Sequence, residues 1–367
     1  MDHIVDYVRW MEDFPISMTG FRDEDALILC ALSYFDLSPL FSSGSACPTV
    51  RDCGQMIKNG QLRVMITGSS EGYPELLAHV SASRRYGDLR LLDYVDTVRQ
   101  DPPLQFSAVC FHDNFGFAFL AYRGTDNSLA GWEEDFMISF TRTEAQELAL
   151  RYAEEHILPG RHWYIGGHSK GGNLALYASC LMSERKWSWV ERIYLLDGPG
   201  FCPEVLDLSL LKRVDPKAVQ VVPSFCIIGK LFAPQITDTR IVRSFAGNYS
   251  QHALITWGID HGRLALAKEH ERESRIISDT INEWVSGISQ ADRLLLTREL
   301  FDALTAGGAE TVEHLQTVGL EGLEAILRQF GESSEATRNV LSDLPKISWK
   351  VRMDAMRKRM KKDSQEE

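Results

Sequence analysis

Apolar positions along the 367-residue chain fall into two rhythms. Near the start, DEDALILCALSYF sets them at helical spacing behind an acidic first turn, the pattern of a helix that buries one face. The stretch SSGSACPTVRDCG that follows is rich in turn formers and reads as a connection. From residue 88 the texture changes. LRLLDYVDTV, QFSAVCFH and FGFAFLAYRGT are short, β-branched or aromatic runs that predict strands, and Asp113, Asn114 and Gly116 predict a hairpin between the second and third. TEAQELALRYAEEHIL then predicts a helix ended by Pro159-Gly160, and the short strand HWYIGG meets a second helix, GGNLALYASCLMSERKW. IYLLDG, VQVVPSFCIIG and TRIVRSF read as further strands. Strands alternating with helices in this way predict a mostly parallel sheet with helices on both faces.

This divides the chain into an N-terminal helical arm over residues 1–60, packed on an α/β core over 61–264, and a C-terminal helical region over 265–367. The last helical run, ISWKVRMDAMRKRMKKD, is strongly basic. It reads first as a solvated helix end and second as a weak peripheral contact with an anionic membrane surface.

Composition narrows the function. At 44% hydrophobic residues the chain can bury a large core, and a net charge of −12 repels phosphate backbones, which argues against nucleic acid as a partner. Seven cysteines, none in a C-x-x-C pair, argue against a zinc ribbon or a disulfide framework. The opening MDHIVDYVRWMEDF carries acids where a signal peptide needs a basic start, and no apolar run reaches the roughly 18 residues of a membrane span. The expected compartment is the cytoplasm. No H-x-x-x-H or H-E-x-x-H pattern supports a metal, and neither phosphate-binding glycine motif is present, so no cofactor is expected.

One motif carries chemistry. Gly167-His168-Ser169-Lys170-Gly171 fits G-x-S-x-G and stands between a predicted strand and a predicted helix, the setting of a nucleophile elbow. Small neighbours are needed on both sides of the serine, and Gly167 and Gly171 supply them. Upstream, Ala121-Tyr122-Arg123-Gly124-Thr125-Asp126 ends a strand. An acyl-transfer site needs two N–H donors on the oxyanion, one after the nucleophile and one from an earlier strand end. Lys170 and Thr125 can fill those places, with the Thr125 hydroxyl as a third donor. Arg123 is expected to brace the loop by pairing with an acid such as Asp135.

These segments resemble a family. YRGTD followed by GHSKGGN is similar to the class 3, fungal-type lipases, whose corresponding segments run F-R-G-[ST] and G-H-S-L-G-G. Closer still is the bacterial Mbeg-like family of α/β-hydrolases. That resemblance runs through FRDEDALILCALSYFD, QFSAV, AYRGTDNSLAGWEEDF, GHSKGGNLALYAS, LLDGPGF and SQHALITW, in order, over residues 1 to about 260. It implies an α/β-hydrolase fold and an ester-cleaving serine hydrolase. Two departures from the lipases stand out: Lys170 replaces the usual Leu, and no apolar lid follows the oxyanion strand.

The base is expected in a loop after the last strand, in chain order Ser, Asp, His. His252 in GNYSQHALITW meets that requirement, the resemblance places a Q-H pair there, and His261 is the second choice. For the acid, Asp197 ends IYLLD before Gly-Pro-Gly, while Asp238 is the first carboxylate after the next strand. Asp197 is preferred. The expected reaction is hydrolysis of a small-molecule or lipid acyl ester by Ser169, His252 and Asp197. The rival reading is a hydrolase-like module that binds a partner and catalyses nothing.

Overall fold

The computed structural model describes residues 1–42, 47–66, 70–126 and 129–306, together with Ser334 and Thr337. The basic run at 347–363 lies outside the described residues.

A seven-stranded sheet runs through the molecule: β1 (Arg90–Arg99), β2 (Leu104–His112), β3 (Phe117–Tyr122), β4 (His162–His168), β5 (Val190–Leu196), β6 (Ala218–Pro223) and β7 (Thr239–Val242). The strands lie side by side in chain order. β1, β2 and β3 pair antiparallel, and every pair from β3 to β7 is parallel. The hairpin expected at Asp113 is present. Its carboxylate accepts the N–H groups of Phe115 and Phe117, each at 2.8 Å, and Gly116 takes φ +103°.

Chain-order topology has a consequence for packing. Successive parallel strands joined by right-handed crossovers, all stepping the same way, place their helices on one face. α6 (Glu144–His156) and α7 (Lys170–Leu181) lie there. Ala149 and Ala153 of α6 and Leu174 and Ala178 of α7 share one buried cluster with Cys110, Leu120 and Ile165 of the sheet. A capping box between Thr143 and Gln146 starts α6. The Gln146 amide then reaches Asn173 Oδ1 on α7 at 2.9 Å.

The opposite face is covered by the N-terminal helices α1 (Ile4–Met11), α2 (Asp23–Leu32), α3 (Val50–Lys58) and α4 (Tyr73–Ala82). Val8, Leu27, Ala31 and Val80 meet Val109, Phe111, Phe119 and Val221 in a second cluster. β2 and β3 therefore send alternate residues into two different cores, which is why every residue of both strands is buried. The sheet does carry helices on both faces, but only one set follows from the strand–helix alternation. A buried ion pair fastens the other set: Arg85 Nε donates to Asp25 Oδ1 at 2.7 Å, and its remaining nitrogens bond the carbonyls of Phe14 and Gly20.

Asp2–His3 pairs antiparallel with Gly258–Asp260, which turns back through His261 and Gly262 to pair with Arg263–Leu264. Both turn residues have positive φ, +51° and +72°, as a two-residue hairpin turn demands. α5 (Leu129–Met137) lies between β3 and α6, and α8 (Arg272–Ser286) and α9 (Gln290–Ala306) follow the small sheet. Val285 of α8 and Leu294 of α9 pack against the α6–α7 core. No helix among the described residues is long and apolar enough to cross a membrane. A mostly parallel sheet with a strand–elbow–helix step at β4 and α7, and helices on both faces, is an α/β-hydrolase fold.

Candidate active site

β4 ends at His168 and α7 begins at Lys170, so Ser169 alone makes the turn, at φ +57° and ψ −127°. A non-glycine residue in that region is strained. Close packing enforces it. A Cβ on Gly167 would lie 2.1 Å from the Gly171 carbonyl oxygen, and one on Gly171 would lie 2.1 Å from the Tyr122 carbonyl oxygen. The two glycines let β4, α7 and the end of β3 meet around the serine.

Parallel register then brings Asp197 beside this turn. His168 pairs with Leu196, and the Ser169 N–H donates to the Leu196 carbonyl at 2.9 Å. Asp197 is the next residue and leaves β5 at φ +47°. Its Oδ2 lies 2.6 Å from His252 Nδ1. Its Oδ1 accepts the Gly229 N–H at 3.1 Å and the Cys226 thiol at 3.0 Å. Burial, then the Asp197 charge, push the Cys226 thiol well above the usual range, so it remains a donor. Asp238 lies elsewhere. It stands just before β7, at the opposite end of the strands from Ser169, and forms a two-bond pair with Arg240 at 2.7 and 2.8 Å that holds its carboxyl below the usual range.

His252 ends a 3₁₀ turn in the loop after β7. Gln251, a residue with no distinctive local pattern of its own, anchors that loop. Its amide oxygen accepts the Phe225 N–H at 2.8 Å and the Ser224 hydroxyl at 2.9 Å, and its amide nitrogen donates to Glu271 at 2.7 Å. Its carbonyl accepts the Trp257 indole N–H at 2.8 Å. The second choice for the base, His261, is 95% exposed in its hairpin turn, where it pairs with Asp260.

In the loop after β3, the Thr125 hydroxyl donates to Asp135 Oδ2. That bond uses the hydroxyl proton, so the hydroxyl is not the third donor expected from the sequence. Asp135 is pushed up to about 6, first by burial and then, in the opposite sense, by Lys170. Its Oδ1 is buried without a hydrogen-bond partner among the described residues. Arg123 does not pair with Asp135. It makes two bonds to Asp96 on β1, at 2.8 and 2.9 Å, with Asp126 at 3.5 Å. Asp135 is already taken by Thr125, and β1 presents a carboxylate closer to the buried guanidinium.

Lys170 reaches away from the elbow. Its Nζ lies 2.5 Å from Glu134 Oε2 and 3.2 Å from Gln105 Oε1, with both charged side chains buried. Glu134 also accepts the backbone N–H groups of Gln105 at 2.9 Å and Ala145 at 3.2 Å. The first residue of α7 is thereby tied to α5, which also carries Asp135. Among the described residues no group of three or more His, Cys, Asp or Glu side chains is placed to hold a metal ion.

Among solved structures, a crystal structure of M37 lipase is 14% identical over 57% of this chain and 70% of its own, with a TM-score of 0.33. A fungal lipase–inhibitor complex, described as a model for interfacial activation in lipases, is 14% identical over 61% and 79%, with a TM-score of 0.35. No curated protein matches the chain. The Mbeg1-like family model matches residues 80–302. It begins in the last turn of α4, after the segment FRDEDALILCALSYFD that the sequence resemblance included, and continues past residue 260 through α8 and most of α9. With more than half of its length matched, the chain belongs to the Mbeg1-like family.

Proposed function

We propose that the protein is a serine hydrolase that cleaves a small-molecule or lipid acyl ester in the cytoplasm through an acyl-enzyme on Ser169. The observation that carries this reading is the 2.6 Å contact of Asp197 Oδ2 with His252 Nδ1, made beside a serine held at φ +57°. A carboxylate on Nδ1 keeps the proton there and leaves Nε2 with its lone pair outward. His252 Nε2 takes the Ser169 proton as Oγ bonds to the acyl carbon, and the carbonyl oxygen becomes an oxyanion. The backbone N–H groups of Lys170 and Thr125 receive that charge, each worth about 2.7–4 kcal/mol where such donors have been removed. Collapse expels the alcohol, which leaves with the proton from Nε2. Water then repeats both steps on the acyl-enzyme and frees the acid.

The test is labelling of the full chain by a fluorophosphonate, together with turnover of p-nitrophenyl esters of short and long acyl chains. Wild-type protein should label and turn over, and Ser169→Ala should do neither at an almost unchanged melting temperature. Failure of the folded wild-type protein to label would leave the binding-module reading in its place.

A further inference from the structure

Behind His252 stands a pair of buried groups that the proposed reaction does not use. We infer that Tyr34 and His168 are positioning residues: together they form a post that sets where His252 stands relative to Ser169. This rests on the reading of Ser169, His252 and Asp197 as the reacting set.

The hydrogen bonds determine the tautomer. His168 Nε2 lies 2.8 Å from the His252 carbonyl oxygen, and His168 Nδ1 lies 2.7 Å from the Tyr34 hydroxyl. A carbonyl only accepts, so Nε2 carries the proton. Nδ1 then offers a lone pair, and Tyr34 O–H is its donor. Tyr34 thus selects the one tautomer of His168 that can hold the main chain of His252.

The post is also uncharged. Burial, then the neighbouring His252 ring, depress His168 well below the ordinary histidine range. Burial raises the Tyr34 phenol well above its own, in surroundings that include Tyr73, Asp135, Arg123 and Cys30. The rings of His168 and His252 are 4.5 Å apart. A charge on His168 would oppose the imidazolium that His252 must become, and a neutral ring does not.

A third element meets the same post. A Cβ on Gly124, the residue before Thr125, would lie 2.1 Å from the Tyr34 hydroxyl and 2.7 Å from the His168 carbonyl oxygen. The oxyanion loop, the elbow and the base loop therefore all rest against two side chains. One of the two comes from the end of α2, 134 positions before its partner. The N-terminal helices that cover the sheet thereby take part in setting the site.

Tyr34→Phe keeps the ring and removes one O–H. In the full chain it should lower kcat by about 10- to 100-fold, the scale of a sub-ångström to ångström displacement of a reacting group, with KM unchanged. His168→Gln, whose amide N–H can still reach the His252 carbonyl, should retain more activity than His168→Leu. In the His168→Gln background Tyr34→Phe should have no further effect, because its route through the imidazole is gone. Imidazole ¹⁵N NMR of the wild-type protein should show His168 as the Nε2–H tautomer throughout about pH 5 to 8. Wild-type kcat in Tyr34→Phe, an equal loss in the His168→Gln background, or a His168 that titrates in that window would each overturn the post. A wild-type protein that fails to label would instead sink the triad reading, and with it the purpose assigned to the post.

Discussion

Asp197 Oδ2 lies 2.6 Å from His252 Nδ1 although 55 positions separate the two residues. The contact follows from the sheet. Asp197 is the first residue past β5, beside the elbow at the end of β4, and the loop after β7 folds back over that edge. Both carboxylate oxygens are occupied, one by His252 and the other by Gly229 N–H and Cys226, so the acid has little freedom to turn away. Asp197→Asn should cut kcat by up to about 10⁴, because an amide can donate to Nδ1 and favour the wrong tautomer. Asp238→Asn should leave kcat near wild type, since that carboxylate serves Arg240 and Arg192. Steady-state kinetics on the two variants decide this, and a crippled Asp238→Asn beside an active Asp197→Asn would reverse the assignment.

Lys170 stands where the lipase motif has Leu, and its ammonium is buried against Glu134. Removing one member of a buried pair strands the other charge. Lys170→Leu should therefore destabilise the fold by about 3–5 kcal/mol. Adding Glu134→Gln removes the stranded charge while keeping an acceptor for Gln105 N–H or Ala145 N–H, so the double variant should recover part of the loss. Urea denaturation of the wild type and both variants reads the difference. A double variant less stable than Lys170→Leu would show that the backbone contacts of Glu134, not its charge, dominate.

What the sequence discloses about this site depends on how local each signal is. Ser169 is legible because strand, elbow and helix are contiguous, and the Asp113 hairpin is legible for the same reason. Asp197 is legible as a carboxylate at a strand end before glycines. Tyr34 carries no such mark, since its role depends on a contact 134 positions away. Gln251 stands in the Q-H pair, but its anchoring role appears only once β6 and α8 converge on it. The partner of Arg123 is not legible, because Asp96 becomes a neighbour only when β1 pairs with β2. The small sheet that holds His261 has strands of two and three residues, too short to show any periodicity.

Asp135 links stability to pH. Its carboxyl titrates at about 6 in the folded protein against an ordinary value of 3.8. Between those values the folded state keeps a proton that the unfolded chain has released. The stability this group contributes is therefore complete below 3.8 and is lost as pH rises through about 6. Asp135→Asn has no proton to lose at this position. Its melting temperature relative to wild type should rise across the same window, measured in parallel pH series. A difference that stays flat or falls would mean that the carboxyl is not destabilised by its burial.

Ser169, the proposed nucleophile, sits in a strained backbone conformation. Ser169 is held at φ +57° and ψ −127°, where a Cβ crowds the neighbouring backbone and glycine does not. Ser169→Ala and Ser169→Gly both delete the proposed nucleophile, so neither should label, and their stabilities can be compared without regard to activity. Such strain costs on the order of 1–3 kcal/mol. Against it, glycine loses about 0.5–1 kcal/mol more than alanine in conformational entropy on folding. The strain outweighs the entropy, and Ser169→Gly should be the more stable of the two by roughly 1 kcal/mol. The closeness of Gly167 and Gly171 supports that sign, because the turn cannot relax while β4, α7 and the end of β3 remain in contact. Denaturation midpoints for the pair, at equal slopes, provide the measurement. An alanine variant as stable as the glycine one would show that the elbow holds its serine without strain.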